Sequence, residues 1–260
     1  METLEKSSDF KRIEFGMADA KDEKTQKPNL LIEGFLDAKG YIDQIINQDK
    51  FIVLGPKGSG KTAIASKLEL LANIRTDLCI KSYYLHEDFP SASFSRLLPS
   101  QESPRSRYQS YWEFLFLIAF LERAYLDKSC EFKNENDRSM LKRLYNSLTE
   151  LELIPCQSIS EMVKTPAKEK FRLKILKNIK KTDLSDKQKV NYALDYIFDE
   201  LKKINFSIRS KNTHLLIVDG LDELMTHRDK QHKQNNDILS SLILSASKIN
   251  NIFLENQCRS

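Results

Sequence analysis

Apolar residues recur at helical spacing through the middle of the chain. The cleanest stripe, with intervals of four, three, four and three residues, consists of Val190, Leu194, Ile197, Leu201 and Ile204. A similar stripe occupies residues 141–151. This period is that of one helix face, and such faces usually cover a core rather than hold a cofactor. We therefore predict a large helical segment from about residue 106 to residue 210.

Short apolar runs predict strands on both sides of this segment. Residues 51–54 (Phe-Ile-Val-Leu) stand directly before a glycine, and residues 215–218 (Leu-Leu-Ile-Val) end at an aspartate, as buried parallel strands do. Residues 79–85 are a further candidate. Apolar positions at i, i+4 and i+7 predict a helix over residues 61–71. These elements predict a three-layer α/β fold, with a mostly parallel sheet centred on 51–54 and 215–218 and a large helical insertion.

Composition narrows the class of protein. With 40% hydrophobic and 30% charged residues, the 260-residue chain can bury a core, and its net charge of +4 does not by itself indicate nucleic acid or membrane. The longest apolar run, 114–121, is far shorter than the roughly 20 residues that span a bilayer. The mixed charges of residues 1–11 exclude a secretory signal, so we expect a cytoplasmic protein with no membrane partner.

The cysteines do not suggest a metal or disulfide framework. The chain has four cysteines, Cys79, Cys130, Cys156 and Cys258. They have no C-x-x-C spacing and no neighbouring histidines. This distribution is typical of free thiols in a reducing compartment rather than of a zinc site.

A glycine-rich loop carries the strongest chemical signal. It satisfies the pattern G-x-x-x-x-G-K-[ST] and consists of Gly55, Pro56, Lys57, Gly58, Ser59, Gly60, Lys61 and Thr62. The glycines let backbone N–H groups curl around phosphates, which a Cβ would obstruct. Lys61 would neutralise phosphate oxygens, Thr62 would place its hydroxyl on Mg²⁺, and the following helix adds its positive dipole end. The loop predicts a site for a magnesium nucleoside triphosphate.

A second motif follows the run at 215–218. Asp219 stands at the tip of an apolar strand, where a carboxylate is costly unless it binds something, and we predict that it serves Mg²⁺ and its water shell. Asp222 and Glu223 lie just beyond, where either would orient water against the γ-phosphate as a catalytic residue, together with Lys61. The alternative is that they cap the next helix, and both roles are compatible.

With these two motifs the chain resembles the signal-transduction P-loop ATPases of the STAND and NACHT type and their KAP relatives. Phe15-Gly16 and residues 31–35 are also similar to a group of uncharacterised bacterial P-loop ATPases, some found in antiviral defence contexts. The resemblance covers about residues 15–90 and 213–255, and it implies ATP and Mg²⁺ as ligands.

The chain departs from these families at three points. Lys61 and Asp219 are separated by 219 minus 61, or 158, residues. Gly34 is followed by Phe35 where such families usually have the arginine that recognises adenine. The chain also ends about 40 residues after Asp219, before the strands that would carry a sensor residue and an arginine finger. We therefore expect a fragment or a truncated relative that lacks the C-terminal part.

These observations predict four segments: a polar N-terminal segment over 1–30, a first part of the P-loop core over 31–105, the helical insertion over 106–210, and a second part of the core over 211–260. The predicted function is an ATP-dependent regulatory switch with slow hydrolysis, in bacterial defence or signalling, working with a protein partner or as a homo-oligomer. The alternatives are an AAA-type ATPase linked to nucleic acid through the lysine-rich segment 164–181, and a nucleotide-binding scaffold without turnover.

Overall fold

The computed structural model describes residues 16–48, 50–85, 104–155, 158–178, 185–221 and 229–258. The chain divides into two compact units, of which the first ends at Leu78 and the second begins at Cys79. Each unit is described by itself below.

The secondary structure of the first unit, in its described residues, is helical. The helices are α1 (Ala20–Gln26), α2 (Pro28–Gly34), α3 (Tyr41–Ile46) and α4 (Lys61–Ile74). Helices α1 and α2 pack on α4, with Leu31, Ile64 and Leu68 buried between them. Lys67 of α4 donates from Nζ to the carbonyl oxygen of Ile32 at 3.0 Å, which joins α4 to α2. The helix predicted directly after the glycine-rich loop is thus confirmed.

The strand predicted at residues 51–54 is wrong. These residues form no strand, and the side chains of Phe51, Ile52 and Leu54 are 51%, 41% and 88% exposed. A strand needs a neighbour to satisfy its backbone N–H and C=O groups. The elements described alongside this run in the first unit are helices, which offer no such edge. The apolar composition of residues 51–54 therefore predicted a buried strand that does not form.

The second unit combines many helices with two small sheets. Its strands are β1 (Leu78–Tyr84), β2 (Cys130–Glu131), β3 (Arg209–Ser210) and β4 (Thr213–Asp219). Its helices are α5 (Pro104–Leu126), α6 (Glu135–Glu150), α7 (Ile159–Lys164), α8 (Glu169–Asn178), α9 (Asp186–Asn205) and α10 (Asp229–Cys258). A short 3-10 helix, Thr165–Ala167, follows α7.

Strands β1 and β4 form a two-stranded parallel sheet, so the strand predictions at 79–85 and 215–218 are confirmed. Strands β2 and β3 form an antiparallel pair in which Cys130 faces Ser210 and Glu131 faces Arg209. The protein is therefore mixed α/β with helices in the majority, and the sheet that contains Asp219 has two strands within the described residues.

Helix α5 lies at the centre of the second unit. It packs against α6, α9, α10 and β4, and Tyr111, Trp112, Phe114, Ile118 and Leu121 are fully buried. The predicted stripe on 190–204 is confirmed, because all five of its residues are buried on one face of α9. The helical period thus marked core-facing surfaces, as expected for amphipathic helices.

Two buried carboxylates flank the apolar run of α5. Glu113 accepts from Lys248 Nζ at 2.7 Å, and Glu122 lies 3.7 Å from Arg123 and 3.9 Å from Lys81. Buried acidic groups are costly without such partners. Across the described residues, no helix has both the length and the apolar character needed to cross a bilayer.

Gly220 allows the two parallel strands to approach closely at their carboxyl ends. It is the only glycine after Gly60, its φ is +83°, and a Cβ there would lie 2.3 Å from the carbonyl oxygen of Leu85. The backbone N–H of Leu85 donates to the carbonyl oxygen of Asp219 at 2.8 Å. Glycine at position 220 therefore allows both the positive φ and the close approach of Leu85.

We predict that Gly220→Ala destabilises the protein by more than about 2 kcal/mol, because left-handed strain adds to a clash with backbone. Gly40→Ala is the control: its φ is +65°, but nothing lies within 4 Å of the added Cβ. We expect it to cost about 1 kcal/mol. Urea denaturation followed by circular dichroism and by Trp112 fluorescence measures both losses. Equal losses would show that Leu85 does not constrain position 220.

Candidate functional site

The glycine-rich loop of the first unit has the backbone of an anion-binding nest. Gly58 and Gly60 have φ values of +83° and +86°, whereas Lys57, Ser59 and Lys61 are outside the positive-φ region. Alternation of this kind is what turns N–H groups towards one concave side in anion-binding nests, and in this loop the N–H of Ser59 donates to the carbonyl oxygen of Pro56 at 3.2 Å. The sequence predicted such a curl from the glycines alone, and Gly58 and Gly60 have positive φ values that agree with it.

Space and helix position also fit a phosphate chain. Nothing lies within 4 Å of a Cβ built on Gly58 or Gly60, while a Cβ on Gly55 would meet Ser59 Oγ at 2.5 Å. The loop is thus closely packed at Gly55 and open at Gly58 and Gly60. Helix α4 begins at Lys61 behind Gly60, which has no side chain to cap the first N–H groups of the helix. The positive end of α4 therefore faces the loop.

The ammonium group of Lys61 lies against the backbone of the loop. Its Nζ donates to the carbonyl oxygens of Gly55 and Pro56, both at 3.0 Å. The ammonium group thus stays beside the backbone instead of extending into solvent, and it lies within the loop that the phosphates would enter. Thr62, in the first turn of α4, is half-buried. The residues of this loop fit a triphosphate, and Thr62 is placed next to Lys61 as the motif requires.

Asp219 ends strand β4 in the second unit. Its Oδ1 accepts from the N–H of Gly220 at 2.8 Å, and the residue is half-buried. The predicted catalytic residues Asp222 and Glu223 lie outside the described residues. Thr62 and Asp219 belong to different units. Their shared magnesium role remains a prediction from the two motifs.

The structure brings together a polar cluster that the sequence analysis missed. Asp127, the first residue after α5, is at its centre, with a side chain only 2% exposed. Its Oδ2 accepts from Ser210 Oγ at 2.5 Å and lies 2.8 Å from His214 Nε2 and 3.7 Å from Cys130 Sγ. We call Cys79, Asp127, Cys130 and His214, with the hydroxyl and amide groups around them, the Asp127 cluster.

Amide groups hold the other carboxylate oxygen of Asp127. Its Oδ1 accepts from the N–H of Ser129 at 2.8 Å and from Asn212 Nδ2 at 3.0 Å. Asn212 Nδ2 also lies 3.8 Å from Cys79 Sγ. The carboxylate is therefore fixed in orientation, with one oxygen bound to amides and the other directed at the thiol, hydroxyl and imidazole groups.

Burial, hydrogen bonds and nearby charge shift the pKa values of three groups in the Asp127 cluster. Burial alone would raise the pKa of Asp127, but hydrogen bonds from Ser210, His214 and Ser129 hold that pKa well below its usual range. Burial, followed by the nearby charge of Asp127, raises the pKa of the Cys130 thiol to about 12. The same two causes raise the pKa of Cys79. The carboxylate is therefore ionised and both thiols are protonated near neutral pH.

The cluster does not have the geometry of a Ser-His-Asp triad. Ser210 Oγ and Asp127 Oδ2 lie 3.2 Å and 2.8 Å from the same ring nitrogen, Nε2 of His214. A triad needs the serine and the aspartate on opposite nitrogens. One signal in the sequence pointed here: Ser210, Asn212 and His214 alternate with period two, which puts them on one side of an extended backbone.

The lysine-rich segment 164–181 is an amphipathic helical surface in its described part. Phe171 and Ile175 of α8 are buried, while Lys170 and Lys174 pair with Glu152. Hydrogen bonds from Lys170 and Lys174 lower the pKa of Glu152 to about 2. Two of the lysines are therefore engaged within the protein, as the more ordinary interpretation of this segment predicts.

Comparisons with known proteins add no family to this picture. Neither protein-family models, nor curated protein sequences, nor solved structures contain a match to the chain.

Proposed function

We propose that the protein binds ATP with Mg²⁺ through the loop from Gly55 to Thr62 and acts as an ATP-dependent regulatory switch with slow hydrolysis. The single observation that supports this most is the alternating backbone of the loop, with Gly58 and Gly60 in the left-handed region directly before α4. Bound Mg²⁺ would neutralise charge on the phosphates. Lys61 would orient the phosphate chain. The hydroxyl of Thr62 would bind Mg²⁺, and the carboxylate of Asp219 would interact with the ion and its water shell.

The proposed fold is a three-layer P-loop core with a mostly parallel sheet. The parallel pair of β1 and β4 supports it, because Asp219 stands at the carboxyl end of β4, where ligands of parallel α/β sheets bind. The exposed, non-strand conformation of residues 51–54 counts against it. The proposal therefore rests on the loop and on Asp219, and less on the sheet.

Slow turnover follows from the surroundings of the loop. All residues from Gly55 to Ser59 are exposed. Fast phosphoryl transfer needs a site that excludes water and holds charges against the transferred group. An exposed loop supports binding better than it supports rapid hydrolysis. We therefore propose that turnover rises when a protein partner or a second copy covers the loop, as the sequence analysis anticipates for this class of ATPase.

We predict that Lys61→Ala weakens binding of magnesium ATP by about 100-fold or more, because the ammonium group that would neutralise the phosphate oxygens is removed. The fold should be retained, since Lys61 donates to carbonyl groups of its own loop and not to another element. Lys50→Ala, which removes an exposed lysine ahead of the loop, is the matched control and should bind as the wild type does. Calorimetric titration measures all three proteins, and equal affinities would refute the site.

We predict that Asp219→Asn weakens magnesium-dependent ATP binding by about tenfold or more, because a neutral amide is a poorer partner for hydrated Mg²⁺. The asparagine keeps an oxygen that can accept from Gly220, so the turn should persist. Glu223→Gln should preserve binding and slow any turnover. If Glu223→Gln hydrolyses ATP at the wild-type rate, Glu223 is not the residue that orients water.

We predict slow phosphate release by the isolated monomer, rising per subunit with protein concentration. Steady-state release measured over a range of concentrations, with mass determined by light scattering, tests this. A fast rate that is constant in a verified monomer would overturn the switch proposal. Binding without any turnover would instead favour the scaffold, and stimulation by DNA or RNA with steep salt dependence would favour the nucleic-acid-linked ATPase.

A further inference from the structure

Three separate parts of the second unit bring potential metal ligands to one point. Cys79 comes from β1, Asp127 from the end of α5 and His214 from β4. One thiol, carboxylate and imidazole atom from each lie within 4.8 Å of one another. A fourth donor stands beside them, because Cys130 Sγ is 3.7 Å from the same Asp127 oxygen that faces His214. A thiol, an imidazole and a carboxylate are thus grouped at one point, and a second thiol lies next to the carboxylate.

The spacing suits a tetrahedral ion. Zinc bonds of about 2.0–2.3 Å to nitrogen, oxygen and sulfur put neighbouring ligand atoms roughly 3.3–3.8 Å apart. The distance from Asp127 Oδ2 to Cys130 Sγ is 3.7 Å, within this range, and that from Oδ2 to His214 Nε2 is 2.8 Å. Of these two distances, only that between His214 and Asp127 is short for two zinc ligands, and it would lengthen by about 0.5 Å when an ion binds. Two thiolate donors favour zinc over Mg²⁺ and Ca²⁺, which take oxygen ligands.

The neighbouring groups already orient these donors. Asn212 Nδ2 lies 3.0 Å from Asp127 Oδ1 and 3.8 Å from Cys79 Sγ, and the N–H of Ser129 donates to the same Oδ1 at 2.8 Å. Oδ1 is therefore occupied by amides, while Oδ2 lies near Cys130 Sγ and His214 Nε2 and also accepts from Ser210 Oγ. Outer partners of this kind fix the direction of metal ligands.

A hydrogen-bond network alone does not account for the two thiols. Ser210, Ser129, Asn212 and His214 satisfy the Asp127 carboxylate without them. The polar contacts of the thiols are long, at 3.8 Å from Asn212 Nδ2 to Cys79 Sγ and 3.7 Å from Cys130 Sγ to Asp127 Oδ2, and sulfur is a weak hydrogen-bonding atom. Thiolates are, in contrast, among the best ligands of zinc.

We propose that Cys79, Asp127, Cys130 and His214 form a structural Zn²⁺ site that joins β1, the end of α5, β2 and β4. Four protein ligands close the coordination sphere, which is the mark of a structural rather than a catalytic zinc. A cleft of about 420 Å³ includes Asp127 and Cys130 in its wall. The site is independent of the glycine-rich loop.

The test begins with the full chain treated with a chelator and then titrated with Zn²⁺ by calorimetry. We expect one ion per chain and a higher melting temperature with zinc. Titration with Co²⁺ should give thiolate-to-cobalt charge-transfer absorption and the intense visible bands of a tetrahedral site. No zinc binding by the wild-type chain, or cobalt spectra without thiolate bands, would overturn the proposal.

Variants then identify the ligands. Cys79→Ser and Cys130→Ser should each weaken zinc binding by about 100-fold or more, beyond the roughly 10–100-fold typical of outer-partner changes. The matched controls Cys156→Ser and Cys258→Ser remove the other two cysteines of the chain and should leave zinc affinity unchanged. Wild-type affinity in Cys79→Ser or Cys130→Ser would overturn the assignment. If either variant fails to fold, the cobalt spectrum of the wild-type chain still decides whether thiolates bind the ion.

A last control separates this site from the nucleotide loop. Lys61→Ala should bind zinc as tightly as the wild type does, because Lys61 belongs to the first unit and donates to Gly55 and Pro56 of its own loop. Zinc binding that is lost in Lys61→Ala would place the ion elsewhere and overturn the proposal.

Discussion

The burial of the central part of helix α5 is the constraint on which the second unit depends. Residues 111–122 are buried apart from the half-buried Phe120. A largely apolar segment that is buried on every side must be covered by other elements, and α6, α9, α10 and β4 all pack against α5. Polar groups fix how these neighbours sit. The indole N–H of Trp112 donates to the carbonyl oxygen of Ile238 at 3.0 Å, and Asn205 Nδ2 donates to that of Leu117 at 3.0 Å. Because a buried donor without an acceptor is costly, each bond favours one arrangement of the packed helices.

The same constraint delivers Asp127 to its position. Helix α5 ends at Leu126, so the packing that fixes the helix also fixes where the next residue stands. Strand β4 packs against α5 and carries His214, while the pairing of Cys130 with Ser210 joins β2 to β3 beside them. The Asp127 cluster is therefore a consequence of core packing. A zinc ion at this point would reinforce contacts that the apolar core already establishes.

The conformation of the glycine-rich loop depends, in contrast, on residues that are close together in the sequence. The signs of φ at Gly58 and Gly60 are properties of single residues, and α4 begins where its amphipathic pattern begins. Neither feature needs a distant part of the chain. This is why residues 55–62 could be predicted closely, whereas the run at 51–54 could not. A strand requires a partner, and an apolar sequence cannot reveal whether one is present.

By itself, the sequence determined the features that arise from near neighbours. These are the conformation of the glycine-rich loop, the helical faces such as that of α9, and strand β4 ending at Asp219. Only the tertiary structure decided that 51–54 lies exposed and that Cys79, Asp127 and His214 converge. Asp127 and His214 are 87 residues apart, and each has ordinary neighbours in the sequence. Periodicity reports which side of an element is buried, but the meeting of distant polar groups depends on how the elements pack, and no local pattern encodes that packing.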